Sequence, residues 1–144
     1  MTYNELIKEI TDRLEAHPQI RTVKNNPPKE WLLKDSQPEF PACCFTINSG
    51  NINSGLEQIY NVQFFFLDKA GDEGLFEREV ISDQLQICED IILTMKSTKR
   101  DYFLDDSIQF NTIVDKYEDY LAGVETTFNI TTQRSYDACD APTA

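Results

Sequence analysis

Positive charge is scarce in this sequence. Thirteen Lys and Arg stand against 25 Asp and Glu, giving a net charge of -12 and a pI near 4.4. Phosphate-binding surfaces show as basic patches, so this composition argues against a nucleic-acid-binding role. Long apolar runs are also missing. No stretch of about 18 apolar residues occurs, and the start MTYNELIKEI lacks the basic-then-apolar order of a secretory signal. Neither a membrane partner nor export is expected, and a cytosolic origin follows. Four cysteines, Cys43, Cys44, Cys88 and Cys139, have no C-x-x-C spacing. They read as free thiols packed as small hydrophobes in a reducing compartment rather than as zinc ligands.

Catalytic signatures are absent as well. G-x-G-x-x-G, G-x-x-x-x-G-K-[ST] and H-E-x-x-H do not occur. The single histidine, His17, adjoins Pro18, and pairing it with Cys43 or Cys44 would require the end of a helix to meet a strand. Carboxylates gather at Asp105-Asp106, at Glu118-Asp119 and at Asp68, Asp72 and Glu73, without the ligand order of a calcium loop, and read as solvated acidic surface. The expectation is therefore of a protein that is not an enzyme, with no catalytic, cofactor or metal site.

What the sequence does contain is a strongly patterned fold. The run LEQIYNVQFFFL, residues 56–67, puts Tyr60, Val62, Phe64 and Phe66 on one side of a period-two pleat. Glu57, Asn61 and Gln63 share the other side with Ile59, Phe65 and Leu67. Gly-rich and Asn-rich turns bound this strand, and ACCFTINS before it completes a hairpin whose tip projects around Asn51, Ile52 and Asn53. After the strand comes a long helix from Leu75 to about Thr98. Its apolar stripe is Val80, Ile81, Leu85, Cys88, Ile91, Ile92 and Met95, set on the Phe64 and Phe66 face.

Upstream, Thr2-x-x-Glu5 predicts a capping box for a helix over residues 3–16, which His17-Pro18 stops. Residues 20–24 form a short strand candidate. Four prolines make residues 25–41 an extended arm, with Trp31, Leu32 and Leu33 inside it. That cluster either plugs the end of the core or reaches a neighbouring subunit. Downstream, Ile108, Phe110, Thr112 and Val114 alternate with polar neighbours, as do Val124, Thr126, Phe128, Ile130 and Thr132.

The prediction is one α+β domain over residues 1–134, an antiparallel sheet of about four to five strands covered by two helices, followed by a loosely held tail over residues 135–144. With 144 residues and 40% hydrophobic composition, one domain can bury a real core. Charge is uneven along it. Residues 1–34 carry six basic and five acidic groups, a sum of +1, which leaves -13 for the rest. These are either two solvated faces or two complementary patches that meet between copies. Under the second reading Arg21, Lys24, Lys29, Trp31, Leu32, Leu33 and Lys34 form one subunit contact and the hairpin tip another.

In element order, and in the closing pattern Leu121-Ala122-Gly123-Val124 running into Phe128 and Ile130, the chain resembles the tail terminator (tail completion, or head–tail joining) proteins of tailed bacteriophages. FPACCF and FFFLD are further parts of the likeness, which spans residues 3–132. The resemblance implies a structural virion protein, assembled in the host cytoplasm, that forms a ring, a hexamer in that family. Such a ring caps the tail tube and joins tail to head. Its partners would be its own copies, the tail tube protein and the head connector protein, with DNA passing through without specific binding. A different class of function also fits the residues: a cytosolic small-ligand-binding or regulatory domain using a cavity between helix and sheet.

Overall fold

The computed structural model describes residues 1–28, 39–53, 57–71, 76–97, 102–116 and 121–133. Helix α1 (Tyr3–Ala16) begins with the predicted capping box: Thr2 Oγ1 accepts from the Glu5 amide at 3.2 Å, and the Thr2 amide donates to Glu5 Oε2 at 2.6 Å. Two of the otherwise orphaned amides of the first turn are thereby satisfied. The strands are β1 (Thr22–Lys24), β2 (Ala42–Ile52), β3 (Glu57–Lys69), β4 (Tyr102–Leu104), β5 (Phe110–Lys116) and β6 (Leu121–Gln133), with helix α2 (Glu77–Ser97) between β3 and β4.

One sheet unites the strands in the order β1-β2-β3-β6-β4, and β5 pairs with β6 on the same side as β4. The spine is β3 with β6, matched from Glu57↔Gln133 to Lys69↔Leu121. The fold is α+β as predicted, but the sheet has six strands and is mixed rather than wholly antiparallel, because β1 runs parallel to β2. Parallel neighbours need a crossover connection, and the chain between residues 24 and 42 supplies its length. Strand β4 has no counterpart among the strands that the sequence pattern predicts. Its three residues lie between Asp101 and Asp105, too few to establish a period-two signal.

Both helices lie on one face. Leu6, Ile10 and Leu14 of α1 and Ile87, Cys88, Ile91 and Met95 of α2 enclose Phe45, Val62, Phe64, Phe66, Phe128 and Ile130 of the sheet. Phe64 is the centre of this core, with ring centroids 5.3 Å from Phe128 and 6.0 Å from both Phe45 and Phe66. The buried seam of α2 includes Gln84 and Ile87, which the predicted stripe omitted, whereas Ile81, Leu85 and Ile92 are half-buried flanks. The far face is buried at one end only, where Ala42, Cys44, Phe65, Leu67, Ile113 and Leu121 pack together with Phe40 against them.

Strand β5 departs from its predicted polarity. Phe110 and Thr112 share rows with Thr126 and Val124 on the helix-facing side, yet Phe110, Thr112 and Val114 are all exposed, while Ile113 is buried on the opposite face. Helix α2 crosses the sheet inside that edge, so the outward strand keeps an apolar row without a helix over it.

A polar knot joins α1 to the far end of α2. Arg13 Nε donates to Glu9 Oε1 at 2.7 Å, Arg13 Nη1 reaches the Thr94 carbonyl at 3.4 Å, and Tyr102 Oη donates to Glu9 Oε1 at 3.2 Å. Nearby, His17 accepts from the Gln19 amide at Nδ1, which leaves Nε2 to donate to Asp90 at 3.0 Å.

Candidate interaction surfaces

The hairpin is described up to Asn53 and from Glu57, and residues 54–56 of the expected tip lie outside the described residues. Antiparallel pairing of β2 with β3 continues to Ile52↔Gln58, and the Asn53 amide donates to the Glu57 carbonyl at 2.9 Å. Asn51 and Asn53 are exposed, and Ile52 shows 71% of its surface. Strand β2 extends past the predicted Ser49, with a register shift between Ile47 and Ser49. On the helix-free face the outer parts of the strands carry an amide ladder: Asn48 donates to Asn61 at 3.3 Å and Asn61 to Asn129 at 3.2 Å.

Of the predicted subunit-contact set, Arg21 is exposed, with its backbone amide bonded to the Pro41 carbonyl at 2.8 Å, and Lys24 is half-buried in β1. Lys29, Trp31, Leu32, Leu33 and Lys34 lie outside the described residues, as do residues 134–144. The structure therefore brings Arg21 and Lys24 to the β1 edge of the sheet, beside the start of β2 and at the end of that strand away from the hairpin tip.

A second surface lies between helix and sheet, where the alternative reading of the sequence expects a cavity. Between α2 and the β4–β5 edge runs a groove of about 480 Å³, walled by Leu85, Ile92, Leu93, Ile108 and Phe110. Its position is fixed by hydrogen bonds to the connector: Lys96 Nζ donates to the Asp106 carbonyl at 2.9 Å, Thr126 Oγ1 to the Gln109 carbonyl at 2.6 Å, and the Asn129 amide to Asp105 at 2.9 Å. Leu93 is 63% exposed and Phe110 47%, and Phe103, 64% exposed, stands outside the groove in the row of Thr131 and Ile59. The signal in the sequence was Leu93, an apolar residue set off the helical stripe beside Ile91 and Ile92.

The titratable groups are otherwise structural in placement. Cys43, Cys44 and Cys88 are buried free thiols. Burial pushes the Cys43 thiol well above its ordinary range and the Cys88 thiol up to about 12, so the thiolate needed for nucleophilic attack is disfavoured at both. Asp68 is held upward chiefly by burial, against the opposing bond from the Lys69 amide at 2.8 Å. Among the described residues no three His, Cys, Asp or Glu side chains stand close enough to hold a metal ion, and no helix is long and apolar enough to cross a membrane. Glu118, Asp119, Asp72 and Glu73 lie outside the described residues.

No protein-family model and no curated protein matches this sequence.

Proposed function

We propose that this protein is a structural subunit of a tailed-phage virion, a tail terminator that assembles into a ring, caps the tail tube and presents a docking surface to the head. The observation that carries this reading is the lopsided sheet. Two helices cover one face, while a long hairpin projects an exposed Ile52 and a row of asparagines from the other end, with no charged residue between Ala42 and Leu56. In a chain of net charge -12, such a projection, uncharged from Ala42 to Leu56, suits contact between copies, which like charges elsewhere would resist. The acidic remainder suits a ring through which DNA passes without being held. The element order shared with the tail terminators supports the same reading, and the virion is then its place of residence.

Static light scattering with negative-stain microscopy tests it. A closed ring is expected at micromolar concentration, and addition to polymerising tail tube protein should stop growth with the ring seated at tube ends. A protein that stays monomeric up to millimolar concentration and leaves tubes unchanged contradicts the reading.

The groove beside α2 favours the second reading, a small-ligand or regulatory domain, since about 480 Å³ lies within the usual range for such sites. A reproducible thermal shift of the monomer by an apolar carboxylate, removed by Phe110→Ala, would favour that function over the ring.

A further inference from the structure

Resting on the ring reading, we infer that successive copies are joined by strand addition, the outer edge of β2 in one copy pairing antiparallel with the β4–β5 edge of the next. Strand β2 is eleven residues long, and among the described residues β1 pairs its outer side at Ala42, Cys43 and Cys44. Among the described residues, 46–52 therefore present a row of backbone donors and acceptors that no other strand pairs. Natural sheets protect such edges with charge, proline, shortness or a covering element. This edge has no charge and no proline and is long, and its one irregularity lies at Asn48. The opposite edge is uncharged over Tyr102–Leu104 and residues 107–114, and its charges lie in the connector, where Asp105 accepts from the Asn129 amide beside Asp106, and at the end of β5 in Asp115 and Lys116.

Geometry makes the two edges fit. Strands β2 and β6 run the same way, and β4 and β5 run against both. A rotation about an axis parallel to the strands preserves direction, so β2 of one copy meets β4 and β5 of the next antiparallel, with two different surfaces joined as ring closure requires. That rotation also keeps rows level. Gly50, Tyr60, Ile130 and Leu104 form one row, and Ile52, Gln58, Thr132 and Tyr102 another. Between them lies the row of Asn51, Ile59, Thr131 and Phe103. Asn51 of one copy thus comes beside Phe103 of the next, and the exposed Phe103 and Phe110 gain neighbours. The Asn53 amide bonds inward to Glu57, so the alternation of an antiparallel pair turns the amides of Gly50 and Ile52 outward, toward the added strand.

Two measurements on the full chain test this. Hydrogen exchange compares ring with monomer: the amides of Gly50 and Ile52 should slow by about tenfold or more on assembly, as newly bonded amides do. In a Cys139→Ser background, Asn51→Cys with Phe103→Cys should give on oxidation a covalent series of multimers up to the ring number, because cross-strand neighbours fall within disulfide reach. Neither cysteine alone should do so. Rings that form with unslowed amides and no cross-links overturn strand addition while leaving the ring reading intact. Dimers linked through Asn51→Cys alone indicate a two-fold β2–β2 pairing and also overturn it. Absence of any oligomer removes both inferences.

Discussion

Replacing Gly123 by Ala should be far more damaging than the same change at Gly50. Gly123 lies in β6 opposite Leu67 of β3, on the strand pair that forms the spine of the sheet. A Cβ there would stand 1.8 Å from the Phe66 carbonyl oxygen and 2.9 Å from its carbon, where real Cβ atoms essentially never come closer than 3.0 Å. The obstructing atom is backbone and cannot rotate away, so β6 and β3 must part by on the order of 1 Å at their most buried end, beyond ordinary core overpacking. The backbone at φ +158° adds strain for any side chain. Together these should cost about 3 kcal/mol or more, a large share of the roughly 5–15 kcal/mol that holds a domain folded. For a chain of this size the midpoint of thermal unfolding should fall by roughly 10 °C. At Gly50 the nearest atom to an added Cβ is the Ile59 oxygen at 2.9 Å, near the hairpin end where strands can yield, and about 1 kcal/mol or less is expected. Circular-dichroism melts and urea titrations of both variants provide the comparison. Equal shifts, or a Gly123→Ala midpoint within about 2 °C of the parent, would refute the account of the spine.

Ile91→Asp should unfold the domain, because an unpaired carboxylate would be buried against the sheet at a cost of several kcal/mol, whereas Ile92→Asp at the groove wall should remain folded; far-ultraviolet dichroism at 25 °C separates the two outcomes. Native protein at pH 8 should leave Cys43, Cys44 and Cys88 unreacted with a thiol reagent until denaturant is added, and fast labelling of any of them, followed by peptide mapping, would contradict their burial. Asp68 binds its proton more tightly folded than unfolded, so its ionisation reduces stability as pH rises from the unfolded value of 3.8 through the higher folded value. Asp68→Asn should therefore raise the melting midpoint at pH 7 and lose that advantage below pH 3.8, and an equal effect at both pH values would count against the assignment. If the arm contributes to assembly, Trp31→Ala should weaken the ring more than Lys29→Ala in light scattering, since an apolar anchor outweighs an exposed charge.

The sequence by itself determined the local elements. The capping box placed α1 to the residue, because Thr2 and Glu5 satisfy each other within one turn without help from the rest of the chain. The alternation of Val62, Phe64 and Phe66 identified the core face of β3, since a strand buried on one side must repeat every second residue. What depended on distant parts of the chain could not be read locally. Whether an apolar row is covered depends on where a helix crosses, so Phe110 and Val114 carried a core pattern and yet stand exposed, while Ile113 found cover on the other face. Ile87 and Ile92 differ in burial only because α2 is rotated by its contact with the sheet. The parallel placement of β1, the polar knot of Glu9, Arg13 and Tyr102, and the rows that put Asn51 level with Phe103 all join residues far apart in sequence. The tertiary structure alone decided these, because register and proximity belong to the packed chain and leave no period in the sequence.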